Sequence, residues 1–272
     1  MPQTLNINGT PVYIEGQGDA RGTNTVVMIH GWPDTHRLWD STVAALQSTQ
    51  RCVRFSLPGF DVTANAPHAK TSKSLQHMVD HFKAIVDAVS PNAPVTLLIH
   101  DWGCIFGYEF AAQHPSRVSR IAAVDIGDHN SGAFLNGLSA SSKFAMLGYQ
   151  LWLAIAWKIG GNLGNRMSQY MAKKMRCPSD PAHIGWQQNY PYAMQWLGLH
   201  GGFKGAAKVK PTHPMLYIYG ARKPFMFQSQ KWLNTLTQRP DCHVESFPTG
   251  HWVMSQEPAR FNQVVGDWLG KV

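Results

Sequence analysis

The sequence predicts an α/β fold in which a mostly parallel β-sheet is flanked by helices and carries an inserted helical cap. Through most of the 272 residues, short apolar runs alternate with helical patterns. Because these runs are apolar throughout rather than at every second position, we expect strands buried on both faces, as in a parallel sheet covered by helices. The alternation is interrupted between residues 131 and 209, where no strand pattern is found.

The elements follow in order along the chain. Residues Thr4–Ile14 alternate around Asn8 and Gly9, a dipeptide typical of tight turns, and predict an opening β-hairpin. Buried strands are predicted after it at 25–30, 52–56, 95–100, 120–125, 215–219 and 242–247. Helices are predicted between or after most of them, at 39–48, 74–89, 104–114, 228–238 and 258–269.

The interruption contains helical blocks rich in Trp, Met and Tyr, at 143–159, 165–175 and 182–199. We interpret it as a cap of residues 131–209, inserted into a core formed by residues 1–130 and 210–272. The alternative is a set of ordinary peripheral helices. An apolar insertion above a sheet is a common place for a small-molecule pocket.

Charge, hydropathy and cysteine spacing limit the kinds of partner that the protein is expected to have. The formal net charge is +8, but there is no run of five Lys or Arg residues and no nucleic-acid motif, which favours a solvated basic surface over a nucleic-acid partner. The most apolar stretch, 144–159, contains Gln150 and Lys158 and is short for a membrane span. The N-terminus is polar, unlike a signal peptide, and the four cysteines lack metal-type spacing. We therefore expect a soluble cytoplasmic protein with no metal or organic cofactor.

The strongest chemical signal is residues 100–103, His-Asp-Trp-Gly, between a predicted strand and a predicted helix. A strand, a tight turn and a helix place the side chain of Asp101 at the carboxyl edge of the sheet, with the helix N-terminus pointing at it. This pattern is a nucleophile elbow, in which the usual residue is serine. A carboxylate is already ionised and attacks an electrophilic carbon directly, leaving an ester that water must hydrolyse. The alternative role for Asp101 is a helix N-cap.

Hydrolysis of that ester needs a base and an oxyanion hole. His251 is the candidate base, because it follows Gly250 in a loop between the last predicted strand and the last helix. A second loop, His-Gly-Trp-Pro at 30–33, follows a strand and would supply one oxyanion amide from Trp32, with the other from Trp102. The bond between Trp32 and Pro33 is a candidate cis peptide.

These motifs together resemble those of the α/β-hydrolase superfamily, in its epoxide hydrolase and haloalkane dehalogenase branch. The matching segments are His-Gly-Trp-Pro at 30–33, Leu-Pro-Gly-Phe at 57–60, His-Asp-Trp-Gly at 100–103 and Gly-His at 250–251. The resemblance covers nearly the whole chain, although the cap matches weakly. It implies an α/β-hydrolase fold, a covalent alkyl-enzyme ester on Asp101, and a small apolar organic substrate that reacts with water.

The sequence departs from this family at the acid of the catalytic triad. Many members carry an Asp in the loop after the second-last strand, but Pro224 stands at that position here. Other members carry the acid at the end of the strand after the nucleophile helix, where this chain has Asp125. The resemblance therefore assigns Asp125 as the partner of His251, with Asp128 in reserve. An Asx turn is the alternative role for Asp125.

The leaving group remains open between two members of the branch. The family's epoxide hydrolases use cap tyrosines as acids, and the candidates are Tyr190 and Tyr192, with Tyr149 or Tyr170 as the second; each is alternatively a packing residue. The family's haloalkane dehalogenases hold the halide with indole and amide donors, a role for which this chain offers its tryptophans at 32 and 102. The sequence favours epoxide hydrolysis over dehalogenation, and a non-catalytic ligand-binding protein of this fold is a further alternative.

Overall fold

The computed structural model describes residues 3–18, 24–63 and 73–271. Its centre is an eight-stranded sheet in the order β1-β2-β4-β3-β5-β6-β7-β8. Strand β2 runs antiparallel to both of its neighbours, β1 and β4, and all other neighbouring strands are parallel. The strands are β1 (Gln3–Ile7), β2 (Thr10–Glu15), β3 (Thr25–Ile29), β4 (Arg51–Phe55), β5 (Val95–His100), β6 (Val118–Val124), β7 (Met215–Gly220) and β8 (Cys242–Phe247). The predicted hairpin and buried strands are confirmed, with ends that differ by no more than two residues.

Helices cover both faces of the sheet. They are α1 (Asp40–Leu46), α2 (Leu75–Val89), α3 (Trp102–Gln113), α4 (Gly132–Gly137), α5 (Ala140–Ile159), α6 (Gly161–Lys174), α7 (Tyr190–Leu197), α8 (Gln230–Thr237), α9 (Val253–Gln256) and α10 (Pro258–Gly270). The alternating side chains of the central strands enter two separate apolar clusters. Helices α2, α3 and α8 pack in the first cluster, whereas α1 and α10 pack in the second.

Helices α4 to α7 all lie between β6 and β7 in the chain, within the predicted cap of residues 131–209. We keep the name cap for these residues. The helix predicted over 182–199 is wrong in its first half, where short 3₁₀ turns precede α7. The physical reason is Pro191 in the first turn of α7, because a proline further inside the helix would lack an N–H donor and clash with the preceding turn.

Two further features bear on the predictions from composition. The four cysteines are free thiols. Among the described helices, none combines the length and the apolar character needed to cross a bilayer.

Candidate active site

Asp101 occupies a sharp turn between β5 and α3. Its backbone has φ 52° and ψ −123°, a conformation that a residue with a side chain seldom adopts. The turn is tight because α3 packs directly on β3: a Cβ atom at Gly103 would overlap the carbonyl oxygens of Ile29 and His30. The turn therefore places the Asp101 carboxylate at the carboxyl edge of the sheet, beside the loop that follows β3.

Two backbone amides point at this carboxylate. The N–H of Trp32 donates to Asp101 Oδ1 at 2.7 Å, and the N–H of Trp102 also bonds to the carboxylate. Gly31 permits this approach, because a Cβ atom there would overlap Asp101 Oδ1 and lie 2.5 Å from the Trp102 nitrogen. The bond between Trp32 and Pro33 is cis. The two amides predicted for the oxyanion hole thus lie together at Asp101.

His251 lies between two carboxylates. Its Nε2 is 3.4 Å from Asp101 Oδ2, and its Nδ1 is hydrogen-bonded to Asp125 Oδ2. The loop that carries it follows β8, and the N–H of Gly250 is held by the Gln256 side chain at 2.8 Å. One nitrogen of the ring therefore faces the elbow while the other is tied to an acid, an arrangement that fixes the orientation of the imidazole.

Asp125 reaches His251 because β6, which ends beside it, lies next to β5 in the sheet. Its second oxygen accepts from the Gly220 N–H at 3.0 Å and from Lys223 Nζ. The reserve acid, Asp128, is engaged elsewhere: its carboxylate accepts from the backbone and hydroxyl of Ser229, at 2.8 and 2.6 Å, near the start of α8.

The charges of Asp101, Asp125 and His251 shift one another's pKa values. Burial alone would lower the pKa of His251, but the carboxylates of Asp125 and Asp101 outweigh it and raise that pKa to about 9. Burial would raise the pKa of Asp125, but the positive charges of Lys223 and His251 lower it to about 2. Likewise, hydrogen bonding and charge from His251 overcome burial and lower the pKa of Asp101. Near neutral pH, the resting site therefore holds an imidazolium between two carboxylates.

His30 and His100 lie beside the site and support its backbone. His30 Nδ1 lies 2.9 Å from the Gly31 carbonyl oxygen and its Nε2 accepts from the Leu57 N–H at 2.9 Å, so this ring joins the loops after β3 and β4. The His100 ring packs against the His251 ring at a tilt of 40°, with 4.5 Å between ring centroids, and burial lowers the pKa of His100 to about 3. An uncharged His100 adds no second positive charge beside the imidazolium.

A cavity of about 1080 Å³ opens above Asp101, between the cap and the loops at the sheet edge. Tyr149 and Tyr192 line it together with Asp101 and His251, and their rings meet edge to face with 6.1 Å between centroids. Burial and the nearby charge of Asp101 raise the pKa of both hydroxyls, so both remain protonated near neutral pH. Tyr170 also borders the cavity but is largely exposed.

The structure corrects the prediction for Tyr190. Its ring is fully buried, its hydroxyl lies 3.5 Å from Met78 Sδ, and it is not part of the cavity wall. Tyr190 and Tyr192 are two residues apart on α7, so they project in directions about 200° apart and only one of them faces the cavity. Tyr190 is therefore a packing residue, the alternative role considered for it above.

The tryptophan side chains near the elbow already have partners. Trp32 Nε1 donates to Asn189 Oδ1 at 2.7 Å, and the Trp102 indole bonds to the Tyr192 hydroxyl. Asn189 in turn donates to Ser168 Oγ at 2.7 Å. Asn189 and Lys223 were not found as site residues from the sequence, because each acts on a residue far away in the chain and has no local motif.

The comparisons with known proteins agree with this architecture. Residues 24–150 match the family described as alpha/beta hydrolase fold. The whole chain superposes on a mutant of an epoxide hydrolase from Bacillus megaterium with a TM-score of 0.72 and 18% identity, covering 99% of this chain and 100% of that one. The chain therefore has the α/β-hydrolase fold, and its residues 24–150 match that family.

Curated relatives are similar to shorter parts of the chain. It is 36% identical over 112 residues to the "Probable oxidoreductase EphD" of Mycobacterium tuberculosis, which is 41% of this chain and 18% of the relative. It is 30% identical over 132 residues to a cis-3-alkyl-4-alkyloxetan-2-one decarboxylase of Shewanella oneidensis, 48% of this chain and 38% of the relative. Other relatives and similar structures include epoxide hydrolases and haloalkane dehalogenases. The chain thus spans less than half the length of these curated relatives, and its resemblance lies in the branch that the motifs indicate.

Proposed function

We propose that the protein is a hydrolase that opens an epoxide to a diol through a covalent ester on Asp101. The observation that carries the proposal is the cavity itself, whose wall includes Asp101, Tyr149 and Tyr192. An epoxide held there has a nucleophile at its ring carbon and proton donors at its ring oxygen. Residues 131–209 act as the cap that supplies the donors.

In the first step, an oxygen of Asp101 attacks a ring carbon and the carbon–oxygen bond of the epoxide breaks. The ring oxygen takes a proton from Tyr149 or Tyr192, because an alkoxide is a poor leaving group unless it is protonated. The raised pKa of both hydroxyls keeps them protonated until the substrate arrives. The product of this step is a hydroxyalkyl ester of Asp101 and a tyrosinate.

The second step is hydrolysis of the ester. Esterification removes the negative charge of Asp101, which is one of the two charges that raise the pKa of His251. His251 therefore releases its proton, which restores the tyrosine, and the neutral ring then takes a proton from water. The resulting hydroxide adds to the ester carbonyl, the amides of Trp32 and Trp102 stabilise the oxyanion, and the diol leaves with the proton from His251.

Epoxide opening is favoured over dehalogenation by the partners of the two indoles. A departing halide needs hydrogen-bond donors, yet the indole N–H of Trp32 is bonded to Asn189 and that of Trp102 to Tyr192. Binding a halide would break one of these buried bonds and leave an acceptor without its donor. A tyrosine pair, by contrast, suits a leaving oxygen.

A substrate panel tests the proposal. The purified protein is incubated with epoxides, haloalkanes and an oxetan-2-one, and diol, halide and carbon dioxide are measured for each. We expect diol from at least one epoxide, and the loss of all turnover in Asp101→Asn. Halide release without diol formation would assign the protein to dehalogenation, and carbon dioxide from the oxetanone alone would assign it to decarboxylation. Binding without any turnover would identify a ligand-binding protein.

A further inference from the structure

The surface of the cap carries a group of exposed apolar side chains. In the parts of the chain that the structure describes, every exposed large hydrophobic side chain lies between residues 135 and 197. Four of these form a stripe along α5, because spacings of three, four and eight residues keep side chains on one side of a helix. They are Phe144, Trp152, Ile155 and Ile159, and Phe144 is 74% exposed.

Helix α6 extends this stripe with Leu163 and Tyr170, which are 58% and 56% exposed. The two helices are joined at this surface, because Trp152 Nε1 donates to the Met167 carbonyl at 3.0 Å and the Trp152 and Tyr170 rings are 5.7 Å apart. We call these six residues of α5 and α6 the apolar cap face. A contiguous exposed patch of several large apolar side chains is typical of a surface that binds another protein or a membrane.

The charge of the protein is concentrated in the same part of the chain. Residues 131–209 contain eight Lys or Arg residues and one acidic residue, Asp180, so the cap carries +7 of the net +8. No Asp or Glu occurs between residues 129 and 179. Five cations on the same two helices are exposed, namely Lys143, Lys158, Arg166, Lys173 and Lys174.

An apolar surface together with a positive charge fits some kinds of binding partner and not others. A second copy of the chain would bring two strongly positive caps together, and their repulsion opposes such a dimer. A nucleic acid would match the charge but leave the apolar side chains exposed to water. An anionic lipid bilayer satisfies both, since apolar side chains enter the boundary between headgroups and acyl chains while Lys and Arg contact the lipid phosphates.

We propose that the apolar cap face docks on the surface of an anionic lipid bilayer. This inference goes beyond the proposed hydrolysis and does not depend on it. Phe144, Trp152, Tyr170 and Lys174 also border the cavity, so the docked protein has its cavity opening toward the lipid. The charge supplies attraction to the surface, and the apolar side chains supply insertion.

Co-sedimentation of the full chain with lipid vesicles tests the proposal. We expect binding to phosphatidylcholine vesicles that contain phosphatidylglycerol, weaker binding as salt rises, and little binding to phosphatidylcholine alone. The double variant Arg166→Gln/Lys173→Gln should lower the partition coefficient by roughly 25-fold, at about fivefold per charge. Ile159→Ser/Leu163→Ser should lower it by more than about tenfold. None of these four side chains borders the cavity, so hydrolysis of a dissolved epoxide should be unchanged in both variants.

The matched control is Lys231→Gln/Lys271→Gln, which removes the same charge from exposed positions of the core. We expect this variant to bind vesicles within about twofold of the wild type, because its charges lie away from the docking face. Equal weakening by the two charge variants would overturn the proposal, since only total charge would then matter. Failure to bind anionic vesicles would also overturn it, as would a dimer in sedimentation equilibrium that Ile159→Ser/Leu163→Ser dissociates.

Discussion

At the scale of single residues, the position of His251 between two carboxylates would separate the two half-reactions of the proposed mechanism by charge. In the resting site the two carboxylates hold its pKa at about 9, so the ring is protonated and unable to act as a base near neutral pH. An ester on Asp101 leaves only Asp125 to stabilise the imidazolium. In the proposed mechanism, His251 therefore becomes a base only after Asp101 has reacted, so no activated water competes with Asp101 for the substrate.

The substitution Asp101→Asn should change the pKa of His251. The neutral amide resembles the ester in charge, so the pKa of His251 should fall clearly below about 9, and the folded ring should lose its proton at a lower pH. The measurement is an NMR titration of the His251 ring protons. Asp241→Asn, which removes an exposed carboxylate from the loop before β8, serves as the control and should leave the titration unchanged. An unchanged pKa in Asp101→Asn would show that Asp101 does not hold the proton on His251.

The tyrosines of α7 give a second prediction at this scale. Tyr192→Phe removes a proton donor from the cavity and should lower kcat/KM for an epoxide by about 10²-fold or more, the usual contribution of a general acid. Tyr190→Phe removes only a hydroxyl that contacts Met78 and should leave kcat/KM within about threefold. Steady-state kinetics of the two variants test which tyrosine donates the proton. A larger loss of kcat/KM in Tyr190→Phe than in Tyr192→Phe would assign that role to Tyr190.

At the scale of elements, much of the architecture was predictable because its signals are local. The strands, the elbow at Asp101 and the loop at His251 are each encoded within about ten consecutive residues, where periodicity and turn residues act. The pairing of His251 with Asp125 depends on which strands are neighbours in the sheet, and no local pattern in the sequence encodes that order. The sequence indicated Asp125 only through the resemblance to a known family. The contacts of Lys223 with Asp125 and of Asn189 with Trp32 span 98 and 157 positions and leave no local pattern.

The loop after β7 has no acid at the family's usual position, where Pro224 stands, but it contributes Lys223, which contacts Asp125. The Lys223 side chain is almost fully buried, and its amine pairs with the buried carboxylate of Asp125. Lys223→Met should lower the free energy of unfolding by about 3 kcal/mol, because the buried carboxylate then loses one of its two charged partners. Arg222→Met changes an exposed neighbouring cation and should stay within about 0.5 kcal/mol. Urea unfolding compares them, and equal effects would mean that the ion pair does not stabilise the fold.

At the scale of the whole molecule, the cap and the core are joined by buried polar contacts as well as by apolar packing. The side-chain nitrogen of Gln188 donates to the backbone carbonyls of Pro33 at 3.1 Å and Phe60 at 2.8 Å, both in the core. It also donates to the backbone carbonyl of His183, within the cap, at 2.9 Å. Beside it, Asn189 accepts from the Trp32 indole. Two consecutive cap residues thus bind both loops that frame the nucleophile, so the position of the cap and the shape of the active site are set together.

Substitution of Gln188 tests the contribution of its hydrogen bonds to the junction between cap and core. Gln188→Ala leaves buried carbonyls of the two core loops without their donor, and each such group costs about 1–3 kcal/mol. We expect the variant to lose at least about 2 kcal/mol of unfolding free energy and to exchange the backbone amides of residues 31–34 and 57–60 faster, because the cap detaches more often. Gln169→Ala is the matched control, since Gln169 bonds to Pro181 and Ile184 within the cap and does not reach the core. Hydrogen exchange measured by mass spectrometry separates the two outcomes. Faster exchange in both variants would mean that general loss of cap stability, rather than the Gln188 junction, controls access to the active site.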